Sequence, residues 1–107
     1  MKRGNIVVAA FRGDYGKPRP ALVIQADLFN PHPSISVLQI TSELRDAPAF
    51  RIAVEPATGN GLIHPSQIMI DKCQTLALGK IGRVIGELDA ATLTIVNRAF
   101  AVFMGLV

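Results

Sequence analysis

Cysteine is almost missing from this 107-residue chain: Cys73 stands alone, so no internal disulfide and no thiolate zinc cage can form. Tryptophan is absent and aromatic residues make up only 6%, which leaves few side chains on which nucleic-acid bases could stack. Charged residues account for 18% against 50% hydrophobic, too apolar a balance for intrinsic disorder. Long apolar runs are also lacking. The longest, Ala99 to Val107, falls well short of the ~20 residues a bilayer helix needs. The run Ile6 to Phe11 after Lys2 and Arg3 stops at Arg12 and Asp14, shorter than the ~7–15-residue core of an export signal. These absences predict a soluble, cytoplasmic protein with no membrane association, folded as a single domain over 1–107. A chain this apolar and this short is also expected to bury surface in an oligomer.

What charge there is lies unevenly. Lys2, Arg3, Arg12, Lys17 and Arg19 face only Asp14 within the first twenty residues, and the remainder of the chain is slightly acidic. A polyanion would be drawn to the N-terminal fifth.

Short runs rich in Val and Ile, punctuated by Gly and Pro, predict strands at Ile6–Phe11, Ala21–Gln25, Ile35–Ile40 and Phe50–Val54. Further runs at Leu62–Ile63, Gln67–Ile70, Thr75–Leu78 and Lys80–Ile85 continue the pattern, with Asn60-Gly61 as the strongest hairpin signal. The period then changes. Asp89 before Ala90-Ala91-Thr92 reads as a helix cap, Leu88 and Leu93 as a hydrophobic staple, and Gly105 as the stop. Leu93, Val96, Phe100, Phe103 and Met104 form one apolar face. Many short strands and one terminal helix predict a mainly β fold with α: a small antiparallel barrel with a C-terminal helix packed on it.

The most informative segment is Gly16-Lys17-Pro18-Arg19-Pro20-Ala21-Leu22-Val23-Ile24. Proline fixes its own φ and holds the preceding residue extended. Lys17 and Arg19 are therefore both stiffened, and Pro20, lacking an N–H, suits the first position of a strand. A guanidinium presented this way can grip two phosphate oxygens at once. Thr41 and Ser42 follow the run Ile35–Ile40, so one of these hydroxyls at a strand end can donate to the same kind of oxygen. Ordinary turn chemistry explains them equally well.

Gly4-Asn5-Ile6-Val7-Val8 followed by the Lys17-to-Ile24 segment resembles the opening of the MazF/PemK toxins. Ser66-Gln67-Ile68-Met69-Ile70-Asp71-Lys72, Lys80-Ile81-Gly82-Arg83-Val84 and the Asp89-capped helix continue the resemblance in the same order. It implies an SH3-like, CcdB/PemK-like barrel acting as a homodimer. It also implies cleavage of single-stranded RNA without metal or other cofactor, restrained by a cognate acidic antitoxin. The family's catalytic arginine carries over to Arg19 and its catalytic threonine to Thr41, with Ser42 in tandem as a second candidate. Asp14 matches an acidic position of some relatives. Lys17, Asp14, Tyr15, His64 and Gln67 are the residues expected to bind RNA.

The implied reaction suits these residues. RNA supplies its own nucleophile, the 2′-hydroxyl, and the transition state gathers charge on phosphoryl oxygens that Arg19 and a hydroxyl can stabilise. The expected products carry a 2′,3′-cyclic phosphate and a 5′-hydroxyl. A guanidinium is too basic to act as the proton acceptor. His32, in Pro31-His32-Pro33, and His64, before Pro65, are not brought together by any spacing, so a two-histidine mechanism is disfavoured. Cys73, after a strand, reads as a small apolar filler. Two other functions stay open: a non-enzymatic gyrase poison of the CcdB type, and a non-catalytic nucleic-acid-binding barrel.

Overall fold

The computed structural model describes residues 1–13 and 17–107. Six strands run in the order β1 (Asn5–Ala10), β2 (Pro18–Val23), β3 (Ser34–Thr41), β4 (Arg51–Val54), β5 (Ser66–Ala77) and β6 (Ile81–Glu87). A single helix, α1 (Ala90–Phe103), follows. All strand pairs are antiparallel, in the sheet order β4-β5-β3-β2-β1-β6.

The predicted barrel is not closed by hydrogen bonds, because β4 and β6 remain the two edges of one open sheet. The loop between β4 and β5 spans that gap instead. The Glu87 N–H donates to the Gly59 carbonyl at 2.9 Å. A Cβ on Gly61 would collide with the Ile85 carbonyl, and one on Gly86 with the Asn60 backbone. Asn60-Gly61 is thus no hairpin turn. Asn60 is buried, takes the N–H groups of Ala57 and Leu62 on Oδ1, and donates to the Glu55 carbonyl. Gly61 supplies the positive φ of +71° that an L side chain resists. Leu62–Ile63 lies in this loop, not in a strand.

Strand alternation places apolar side chains on both faces of the sheet. Ile6, Leu22, Leu38, Ile40, Val54, Ile68 and Ile70 form one cluster with Leu88 and Val96. Val7, Ala9, Phe11, Ala21, Val23, Ile35 and Val37 form the other. A run of the form Ile6-Val7 or Leu22-Val23 reads as continuously hydrophobic for that reason. The helix covers the first cluster through Val96, which is fully buried and contributes about 1.5–3 kcal/mol by leaving water.

The ends of α1 follow the expected chemistry. The Asp89 carboxylate accepts from the Thr92 N–H and hydroxyl, both at 2.9 Å, while Leu88 and Leu93 pack on the same cluster. At the other end the Leu106 N–H reaches the Ala101 carbonyl and the Gly105 N–H that of Val102, the paired bonds of a Schellman stop. The apolar face is only partly covered: Phe103 and Met104 are half exposed.

Two further expectations need correction. Gln67–Ile70 and all of Thr75–Leu78 but Leu78 itself, which opens a 3-10 turn, belong to one long strand, β5, whose register against β3 slips between Leu38 and Ile40; there Ile70 donates to the Phe50 carbonyl. Cys73 lies within β5 and is exposed rather than filling a core. Partial shielding raises its thiol pKa, which lowers its nucleophilicity at neutral pH. No helix among the described residues is long and apolar enough to cross a membrane.

Candidate active site

Pro20 is the third residue of β2, not its first. Its position still obeys the logic of the missing N–H. Pro18, Arg19 and Pro20 pair with β1 only, because the β2–β3 ladder begins at Ala21 opposite Gln39. Carried two residues further, the same register sets Arg19 opposite Thr41. The two strands have stopped pairing there, and an open cleft of about 700 Å³ takes the place of the ladder.

Arg19, Thr41 and Ser42 all line this cleft, with Gln39, Glu43 and the buried Ser66. The loop after β4 contributes Leu62, Ile63 and His64. Arg19 and Thr41 are half-buried, whereas Ser42 and His64 are exposed. Thr41 Oγ1 accepts from the Glu43 N–H at 3.0 Å, which fixes the side chain while its own O–H stays available to donate.

Two cationic residues of the cleft escape sequence reasoning: Arg51 at the start of β4 and Arg83 in β6. Both are far from Arg19 in sequence and lie on opposite edge strands, and only the curl of the sheet brings them to it. Among the described residues, the lining thus holds three arginines, Arg19, Arg51 and Arg83, with one carboxylate, Glu43, which is 3.2 Å from Arg45 Nη2. Such a surplus with apolar walls attracts an anion.

The other expected RNA contacts divide. His64 reaches the cleft, whereas Lys17 is exposed just ahead of β2 and is not part of the lining. Gln67 points to the neighbouring loop, where its amide is held by Arg45 and Arg51. Asp14 and Tyr15 lie outside the described residues. His32 stands away from the cleft, its ring nitrogen bonded to Ser34. No cluster of three or more His, Cys, Asp or Glu side chains that could hold a metal ion occurs among the described residues.

A second depression of about 650 Å³ lies beside the start of α1. Its lining mixes Lys2 and Arg3 with Asp27, Glu87 and Asp89, so no cationic surplus gathers there. The Arg3 guanidinium donates to the Ile24 carbonyl and to Asn97, the Arg3 backbone N–H donates to Asp27, and Asp89 caps the helix. The Arg19 cleft is therefore the one suited to a ligand.

Comparison with known proteins agrees with this geometry. Residues 2–104 match the sequence model for the PemK-like, MazF-like toxins of type II toxin–antitoxin systems. The chain belongs to the PemK/MazF toxin family. A relative from Mycolicibacterium smegmatis, named a "probable endoribonuclease MazF", is 41% identical over 99% of this chain and 98% of its own length. Among solved structures, the Mycobacterium tuberculosis toxin MazF-mt6 superposes with a TM-score of 0.81 at 28% identity, covering 94% of this chain and 96% of its own. A mycobacterial endoribonuclease solved in complex with its cognate antitoxin shares the fold, with a TM-score of 0.84 at 23% identity and coverage of 100% and 97%. The solved relatives thus share the arrangement of sheet and C-terminal helix described above.

Proposed function

We propose that this PemK/MazF toxin is an endoribonuclease that cuts single-stranded RNA by attack of the 2′-hydroxyl on the adjacent phosphorus. The observation that carries the reading is the placement of Arg19 and Thr41 on one open, cationic cleft at the point where β2 and β3 stop pairing. Membership of the family and the names of its relatives support the same activity.

RNA needs no external nucleophile, so the protein's task is to hold the strand in line and to stabilise the charge that gathers on the phosphoryl oxygens. Arg19 grips two of those oxygens, and the hydroxyl of Thr41, with Ser42 as its neighbour, donates to one of them. Arg51, Arg83 and His64 engage flanking phosphates or bases along the same cleft. The bond from phosphorus to the 5′-oxygen breaks, and the products are a 2′,3′-cyclic phosphate and a 5′-hydroxyl. A cognate antitoxin segment with acidic character would neutralise the toxin by covering these cations, and a second copy of the chain would cover the remaining apolar surface of α1.

A cleavage assay on long single-stranded RNA in excess EDTA, with the fragment ends mapped, tests the reading. Cyclic-phosphate ends are expected from the wild type. Intact RNA after incubation with correctly folded protein would overturn it and return the gyrase-poison and non-catalytic alternatives.

A further inference from the structure

One amide and one guanidinium tie down the backbone immediately after the strand-end hydroxyls. Gln67 sits in β5 opposite Thr41 on one side and Ala53 on the other. Its Oε1 accepts from the Arg45 N–H at 3.0 Å and from Arg51 Nη1 at 3.1 Å, and its Nε2 donates to the Arg45 carbonyl at 2.8 Å. The same Arg51 nitrogen donates to the Glu43 carbonyl at 3.0 Å. Glu43 in turn gives its N–H to Thr41 Oγ1 at 3.0 Å.

A primary amide carries a donor and an acceptor on one head, so Gln67 holds both backbone groups of a single residue, as a paired strand would. β3 ends at Thr41 and β4 begins at Arg51; in the nine-residue connection between them, this side chain substitutes for the missing ladder. Three of the four hydrogen bonds its amide can make go to the protein rather than to the cleft.

We propose that Gln67 is a positioning residue: through Arg45, Arg51 and Glu43 it fixes the turn that holds the Thr41 hydroxyl toward Arg19, and it does not itself touch RNA. The proposal rests on the reading of the cleft as an RNA-cleaving site. A displacement of about 1 Å at a reacting group costs on the order of 10²-fold in rate, and groups carried on loops are the ones most easily displaced.

Gln67→Leu keeps the bulk and removes the amide. The test compares it with wild type in steady-state RNA cleavage, in affinity for a 2′-deoxy analogue that cannot be cut, and in amide hydrogen exchange at Arg45. The expected result is a kcat about 10–100-fold lower, with KM, analogue affinity and the cleavage sites unchanged and faster exchange at Arg45. An unaltered kcat overturns the proposal. So does a raised KM or a changed set of cleavage sites with kcat preserved, which would make Gln67 a base-reading side chain. Should Gln67→Leu fail to fold, Gln67→Glu keeps the acceptor but loses the donor to Arg45; an intermediate kcat is expected, and full activity overturns the proposal. A wild type that cuts no RNA overturns the cleavage reading itself, whereas normal wild-type cutting with an unaffected variant overturns only the role of Gln67.

Discussion

Two depressions of nearly equal size, about 700 and 650 Å³, lie on this small molecule, and they differ in the charge that lines them. Around the second, the polar side chains hold the fold together. The Arg3 guanidinium bonds to the Ile24 carbonyl and Asn97, Asp27 accepts the Arg3 backbone N–H, Asn60 fills its amide with three backbone groups, and Asp89 caps α1. Around the first, three arginines converge from β2, β4 and β6 on a space with one carboxylate among the described residues. Volume alone would rank the two as equals. The balance of charge tells them apart: among the described residues the first gathers Arg19, Arg51 and Arg83 with Glu43 alone, whereas the second mixes Lys2 and Arg3 with Asp27, Glu87 and Asp89.

The sharpest way to break this comparison is to remove Arg19. Arg19→Ala is expected to lower RNA cleavage by about 10²–10³-fold, the cost of losing one preorganised charge-stabilising donor, with the thermal midpoint nearly unchanged. Normal cutting by this variant would dismiss the cleft as the site. Next comes the pair of hydroxyls: Thr41→Ala is expected to lose about 10–100-fold and Ser42→Ala less, since the register opposes Thr41 to Arg19 and Ser42 lies past the strand end. Side-by-side rates settle the assignment, and the reverse order would move the donor to Ser42.

The second depression should respond in stability, not in rate. Asn60→Ala strands buried backbone partners and is expected to cost about 1–3 kcal/mol, read by denaturant unfolding, with kcat retained in the folded fraction. Asp89 gives the smallest effect. Its bonds from Thr92 hold its carboxyl pKa below the usual range. Its stabilising contribution is therefore complete above the ordinary carboxylate pKa of about 3.9 and fades as pH falls through the lower folded value. Thermal unfolding at decreasing pH should show a wild-type decline in that acidic window that Asp89→Ala lacks.

Local chemistry made much of this visible in advance. Proline on both sides of Arg19 marks a stiffened guanidinium, and Leu88-Asp89 with Leu93 marks the start of α1, because each signal depends only on near neighbours. What was hidden depends on distant ones. Arg51 and Arg83 carry no local mark; they sit on the two edge strands of the order β4-β5-β3-β2-β1-β6 and become cleft residues only because the sheet curls its edges together. Gln67 reads from its neighbours as either a base contact or a strand cap, because its partner, the Arg45 backbone, lies twenty-two residues away. Asn60-Gly61 imitated a tight turn, but the residue it accommodates is Ile85 across the sheet opening. The continuous β5 was cut in two by its polar middle, Asp71-Lys72, where the register slips.

The paired prolines of β2 have one more consequence. Pro18 and Pro20 offer no backbone hydrogen to any strand laid alongside them. An extended peptide cannot zip onto that margin by main-chain pairing, whether it comes from this molecule or from another. Whatever occupies the slot must be recognised by its charge and side-group shape, so mimics of nucleotides are better starting points for inhibitors here than mimics of β-strands.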